Sequence, residues 1–182
     1  MLHDASTAEC LVYTYREGLL AAVGHDLCLR VERFAVEVTG EAHAPSILGR
    51  FDAASLRATG DVSPADARKI EGNAADDVLG ARRFPTIEFR STRITESGDQ
   101  YAVDGDLTIG GITHPVTLDV ELGGVETFPG GPRHAGFEAT AQFRRKDFDI
   151  DVALPPGVSS VALGDVIKIE IDLQLLEPDT AA

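Results

Sequence analysis

Apolar and polar residues alternate one by one along most of this chain. A period of two is the pattern of a strand with one wet face and one covered face. "YAVDGDLTIGGITHPVTLDVEL" (101–122) carries it most plainly. Val103, Leu107 and Ile109, then Val116, Leu118, Val120 and Leu122, fall on one side of two strands joined at Gly110–Gly111. Asp104, Asp106, Thr108, Thr117, Asp119 and Glu121 fall on the other. The same alternation sets Ile87 and Phe89 against Glu88 and Arg90, and Ala139, Ala141, Phe137 and Phe143 against Glu138, Thr140 and Gln142. Ile167, Ile169, Ile171 and Leu173 stand against Lys168, Glu170 and Asp172, and "LCLRV" and "FAVEV" repeat the pattern near the start. Seven or eight such segments call for a sandwich or a closed barrel, because an open sheet leaves its edges unpaired.

One stretch departs from this period. In "SPADARKIEGNAADDVLG" (63–80), Ser63 is placed as an N-cap, Pro64 as the first helical residue and Asp66 in the first turn. Two short helices are expected, with Gly72 ending the first, Asn73 restarting the path and Gly80 ending the second. "GGVETFPGGPR" (123–133) reads as a long glycine- and proline-rich connection, and residues 177–182 as a flexible tail. With 182 residues and no repeat or low-complexity linker, a single domain spanning 1–182 is expected.

Charge narrows the function classes. A formal net charge of −14 repels phosphate backbones and anionic bilayers, which argues against nucleic acid and against an electrostatic membrane anchor. No apolar run approaches the ~20 residues that span a bilayer. "MLHDASTAEC" has neither a basic nor an apolar leader region, so the cytoplasm is the expected compartment. Cys10 and Cys28 are accordingly expected as buried, reduced thiols.

A search for chemistry returns little. None of His3, His25, His43, His114 and His134 pairs with a second ligand at metal-binding spacing. His25–Asp26 is the most suggestive pair, and a turn histidine with a capping aspartate accounts for it. Asp76–Asp77 reads as the charged outer surface of a helix. Ser159–Ser160 has no nucleophile elbow around it, and "RRKDFDI" (144–150) reads as a strand end exposed to solvent. No catalytic constellation, metal site or resident cofactor is expected. A carrier of an apolar ligand needs none of these, since each buried CH₂ contributes about 0.8 kcal/mol.

Several segments are similar to those of a known family. "FPTIEFRSTRI", "VDGDLTIGGITHPVTLDVEL", "FEATAQFRRKDFDI" and "LGDVIKIEIDLQL" follow its strands, and "ARKIEGNAADDVLGARRFP" its helix. The chain thus resembles the YceI-like, polyisoprenoid-binding-like family over about residues 24 to 176. The first strand, "TAECLVYTYREGLL", departs from the family pattern, as do Lys146 and Asp149 beside the retained Arg145, Asp147 and Phe148. The resemblance implies an all-β fold: an extended, lipocalin-like antiparallel barrel of about eight strands, with short helices between two strands. It also implies a lumen for a polyisoprenoid, an isoprenoid quinone or a fatty-acid-like lipid, no catalytic residue, and a homodimer in some members.

The lumen wall is then expected from Ile87, Phe89, Val103, Leu107, Ile109 and Val116, and from Leu118, Val120, Phe137, Phe143, Ile169, Ile171 and Leu173. Two other readings stand beside the carrier. One is an enzyme acting on a lipid-like substrate through His25 and an acidic partner. The other is a packed structural module, because alternation is the same for a lumen wall and a solid core.

Overall fold

The computed structural model describes residues 2–16, 27–41, 44–60, 62–127, 133–150 and 163–176. They form the expected all-β fold, a single antiparallel sheet curled into a lipocalin-like half-barrel. The strands are β1 (Leu2–Asp4), β2 (Ala8–Arg16), β3 (Leu27–Val31), β4 (Phe34–Glu41), β5 (Ala44–Asp52) and β6 (Leu56–Ala58), followed by helix α1 (Pro64–Gly72). After it come β7 (Thr86–Ser97), β8 (Gln100–Ile109), β9 (Ile112–Thr127), β10 (Arg133–Arg144) and β11 (Leu163–Leu176). Their order in the sheet is β1-β4-β5-β7-β8-β9-β10-β11-β2-β3-β6. These eleven segments exceed the expected eight or so because short pieces such as β1 and β6, three residues each, are too brief to show a period.

Two short links force the curl. β3 and β4 lie near opposite ends of the sheet, yet only Glu32 and Arg33 separate them. In a flat sheet they would stand eight strand spacings apart, roughly 38 Å. A link of two residues reaches at most about 11 Å. The sheet therefore has to bring its ends together. The β5–β6 link, Ala53 to Ser55, imposes the same constraint. The two links clasp each other: the Glu32 N–H donates to the Ser55 carbonyl at 3.0 Å, and the Asp52 N–H to the Arg33 carbonyl at 2.9 Å.

The β8–β9 hairpin forms as its sequence dictates. Ile109 pairs with Ile112 across Gly110 and Gly111, whose φ angles of 60° and 84° suit glycine. On its wet face Asp104 takes hydrogen bonds from Thr117 at 2.7 Å and from Arg93 Nε at 2.8 Å. On its dry face Val103, Leu107, Ile109 and Val116 are buried.

Three expectations are corrected. Gly72 does not end the first helix; its φ of −62° and ψ of −46° carry the path on into a π-helical turn over Asn73–Val78. Only at Gly80, with φ of 56°, does the backbone leave the helical region. Residues 123–127 belong to β9 rather than to a loop, because their backbone finds ladder partners in β10, Gly124 opposite Gly136 among them. Arg145 is not at an exposed strand end. It sits buried in a 3-10 turn (Arg145–Phe148), where its Nη1 donates to the Ile150 carbonyl at 2.9 Å.

Candidate functional site

Inward-facing residues from nearly every strand surround a cavity of about 400 Å³. The register explains who faces it. Gly49 pairs with Phe89, Phe89 with Leu107, Val103 with Leu118, Tyr101 with Val120, Ala139 with Ile171 and Ile171 with Cys10. Side chains on paired positions share a face, so each of these rows points inward together. Two buried clusters flank the space. One gathers Phe89, Leu107, Phe143, Phe148 and Ile150; the other Cys10, Leu29, Val31, Phe34 and Val36.

The structure puts Ile87, Phe89, Val103, Leu107, Ile109 and Val116 on the wall of this cavity. Leu118, Val120, Phe137, Phe143, Ile169 and Ile171 are there too. Leu173 stands opposite Phe137 and Ala8 in the ladder, and its side chain lies outside the described residues.

Sequence reasoning missed part of the wall. Ala74, Val78 and Leu79 from the helical segment close one side of it, and Phe51, Ile47 and Ile94 complete it from β5 and β7. Val78 and Leu79 form a large apolar pair in a mostly polar stretch, which was the available signal. Ile94 was hidden by a bulge between Ser91 and Arg93, which reverses the phase of β7.

Polar groups on the wall are few. Among the described lining residues Asp52 is the only charged one, and its carboxylate is already engaged. Oδ2 takes the Arg33 Nε at 2.9 Å and Oδ1 the Ala54 N–H at 2.8 Å. The bond from Arg33 is the main reason its pKa lies below the ordinary carboxylate range. Tyr101 rests against Phe137, ring centroids 6.5 Å apart, and Thr14 and Cys10 add a hydroxyl and a thiol. Burial pushes the Cys10 thiol up to about 12, so it stays protonated and is no nucleophile near neutral pH.

The remaining candidates lie apart from the cavity or outside the described residues. Both cysteines are free; Cys10 is buried as expected, whereas Cys28 is half-buried, on the strand position opposite Tyr13. Its place on the alternate phase from Leu27 and Leu29 turns it away from the interior. His3 is buried in β1, and burial pushes its imidazole below the usual histidine range. His114 stands edge-on to Phe148 at 5.4 Å. His25, Asp26, His43, Ser159 and Ser160 lie outside the described residues, as does the His134 side chain. Asp76 is exposed and pairs with Arg82 at 3.1 Å. Among the described residues no three His, Cys, Asp or Glu side chains are grouped as a metal would need, and no helix is long and apolar enough to cross a membrane.

Comparison with known proteins agrees with this architecture. Protein YceI of Escherichia coli O157:H7 is 39% identical over 94 residues, 52% of this chain and 48% of that protein. A UPF0312 protein of Yersinia pestis (strain Pestoides F) is 40% identical over 92 residues, 50% of this chain and 47% of its own. The chain thus spans about half the length of the curated relatives it matches. The crystal structure of BcnA from Burkholderia cenocepacia superposes with a TM-score of 0.70 at 20% identity, covering 94% of this chain and 98% of that one. The YCEI protein of Campylobacter jejuni gives 0.62 at 20% identity, covering 80% and 82%. At such identity the likeness is one of fold. Residues 25–175 match the model of the YceI-like domain, and on that match the chain belongs to the YceI-like domain family.

Proposed function

We propose that the cavity holds the apolar tail of a hydrophobic or amphipathic molecule, and that the protein carries or sequesters it. Polyisoprenoids, isoprenoid quinones and fatty-acid-like lipids have the required chemistry. The observation that carries this reading is an apolar space of about 400 Å³ in the middle of the fold. Small-molecule sites are typically ~300–1,000 Å³, mostly apolar, with few polar groups.

A tail in the same space contributes about 0.8 kcal/mol for each CH₂ it buries, before the costs of ordering it. The described lining residues include no acid–base pair, and the Cys10 thiol stays protonated, so the reading assigns binding and no reaction.

Leu118 supplies the test. Its half-buried side chain lines the cavity from β9, and Leu118→Trp would fill space without adding charge. The variant is expected to fold, judged by far-UV circular dichroism and melting. Its uptake of a fluorescent apolar probe is expected to fall at least tenfold. Undiminished uptake by the folded variant would count against a tail at this position.

A further inference from the structure

One side chain seats the strand that closes the curl. Only Ala5, Ser6 and Thr7 separate β1 from β2, yet the two strands stand toward opposite ends of the sheet order. β1 is three residues long and, as a terminal strand, pairs with β4, His3 opposite Val36. Paired positions share a face, so the imidazole turns inward beside Val36, which lines the cavity. Leu2 and Asp4 point the other way, and both are exposed. His3, 4% exposed, is thus the single buried side chain of this strand.

Its surroundings suit a neutral ring. Both ring nitrogens lack a hydrogen-bond partner among the described residues. β4 sets Val36 against it and turns Glu37 outward. β2 turns Cys10 inward, a thiol that stays protonated, and Glu9 outward, where Arg30 holds it at 2.7 Å. On its own strand the exposed Asp4 carboxylate already takes the Ser6 N–H at 2.9 Å and the Ser6 hydroxyl at 2.6 Å. Burial opposes the charged ring most, the amino-terminal charge opposes it next, and Asp4 favours it. An imidazolium in this place is a buried charge with no acceptor, which is costly.

We infer that His3 makes β1 an acid-released strand: protonation of the imidazole frees β1 from β4, uncovers the sheet edge beside Val36 and loosens the cavity's hold on its tail. Strand release stands on the geometry of β1 alone, whereas loss of the tail rests on the binding reading above. In a released strand the ring has its ordinary value of 6.5, and in the closed one burial lowers it. Closure is therefore complete above pH 6.5 and weakens as pH falls through it, because the released strand accepts the proton first. One proton taken up on release raises the ratio of released to closed strands about tenfold between pH 7.5 and 5.5.

Native-state hydrogen exchange on the full chain, followed by NMR and expressed as protection factors, reads this ratio even when the released form is rare. The protection of the β1 amides is expected to fall about tenfold from pH 7.5 to 5.5, while that of the β8–β9 hairpin does not follow. His3→Leu keeps an apolar side chain and takes no proton, so its β1 profile should be flat. Should that variant not fold, His3→Gln, equally uncharged, carries the same prediction. A flat wild-type profile overturns the inference, as does an equal fall in the variant. Release of a bound apolar fluorophore, timed by stopped flow, is expected to quicken by a similar factor in the wild type only. A release rate that ignores pH while β1 opens overturns the effect on the tail. A fluorophore that binds at no pH removes the tail-binding reading and leaves the strand switch standing.

Discussion

The Arg33 backbone N–H donates to the Ser55 hydroxyl at 3.0 Å, and Ser55 is wholly buried. This bond joins the β3–β4 link to the β5–β6 link, where the two ends of the curled sheet meet. The same hydroxyl donates onward to the Asp52 carbonyl at 2.9 Å. One small side chain thus serves both sides of the clasp.

Ser55→Ala strands the Arg33 N–H without its acceptor. The bond is partly buried, so the cost of a fully buried unpaired donor, about 1–3 kcal/mol, is the upper bound of the loss. Urea unfolding should show a lower midpoint, by up to that amount, with an unchanged slope. A loss under about 0.5 kcal/mol would mean that water or a shifted backbone replaces the bond.

The hairpin turn makes a ranked prediction. Gly110 and Gly111 both have positive φ, so alanine at either position meets left-handed strain of about 1–2 kcal/mol. At Gly110 a Cβ meets nothing within 4 Å, whereas at Gly111 it would lie 2.8 Å from Phe84 Cε1. Gly111→Ala should therefore destabilise more than Gly110→Ala. Equal losses in parallel denaturation curves would show that Phe84 moves aside freely.

Asp172 gives a pH dependence with a definite sign. Desolvation raises its pKa first, then repulsion from Glu138, Glu9 and Glu170. Glu9 and Glu138 stand directly across from it on β2 and β10. A carboxyl whose folded pKa lies above its unfolded value, here 3.8, favours the fold when protonated. That contribution is complete below the unfolded pKa and is lost as pH rises through the folded one. Asp172→Asn should then stabilise the protein at pH 7 by a few tenths of a kcal/mol, the scale of exposed cross-strand pairs. The gain should vanish below about pH 4. Melting curves at pH 3.5 and 7 decide it, and a gain equal at both values would point to a cause other than charge.

Cys10 should be chemically silent while the fold persists. It is 2% exposed and its thiol is pushed up to about 12. Iodoacetamide at pH 8, followed by peptide mass spectrometry, should leave Cys10 unmodified in native protein and alkylate it fully in urea. Rapid native alkylation would mean that the cavity opens to water far more than its apolar wall suggests.

How much of this was legible in the sequence depends on the kind of contact. Strand phase was readable because alternation is local: Phe89, Leu107 and Ile109 face inward for the same reason that Glu88 and Thr108 do not. The enclosing curl was not, since it arises from the clasp of Glu32–Arg33 on Ser55, two links more than twenty residues apart in the chain. Ile94 escaped because a bulge shifts its phase, and Leu79 because it caps the end of a π-helical turn, whose period differs from that of an α-helix. Nor could alternation separate a lumen from a packed core. That difference lies in volume: Gly49 and Gly105 leave room that Phe51 and Phe89 fold into, and such pairings become visible only in three dimensions.

The central claim, that an apolar tail occupies the cavity, is tested most directly on freshly purified protein. Native mass spectrometry of the intact chain, beside mass spectrometry of its organic extract, would reveal any bound apolar molecule. The account predicts one co-purifying lipid-like molecule per chain, or, for an empty chain, stoichiometric uptake of an added alkanol. An empty protein that also takes up no alkanol or isoprenoid would contradict it.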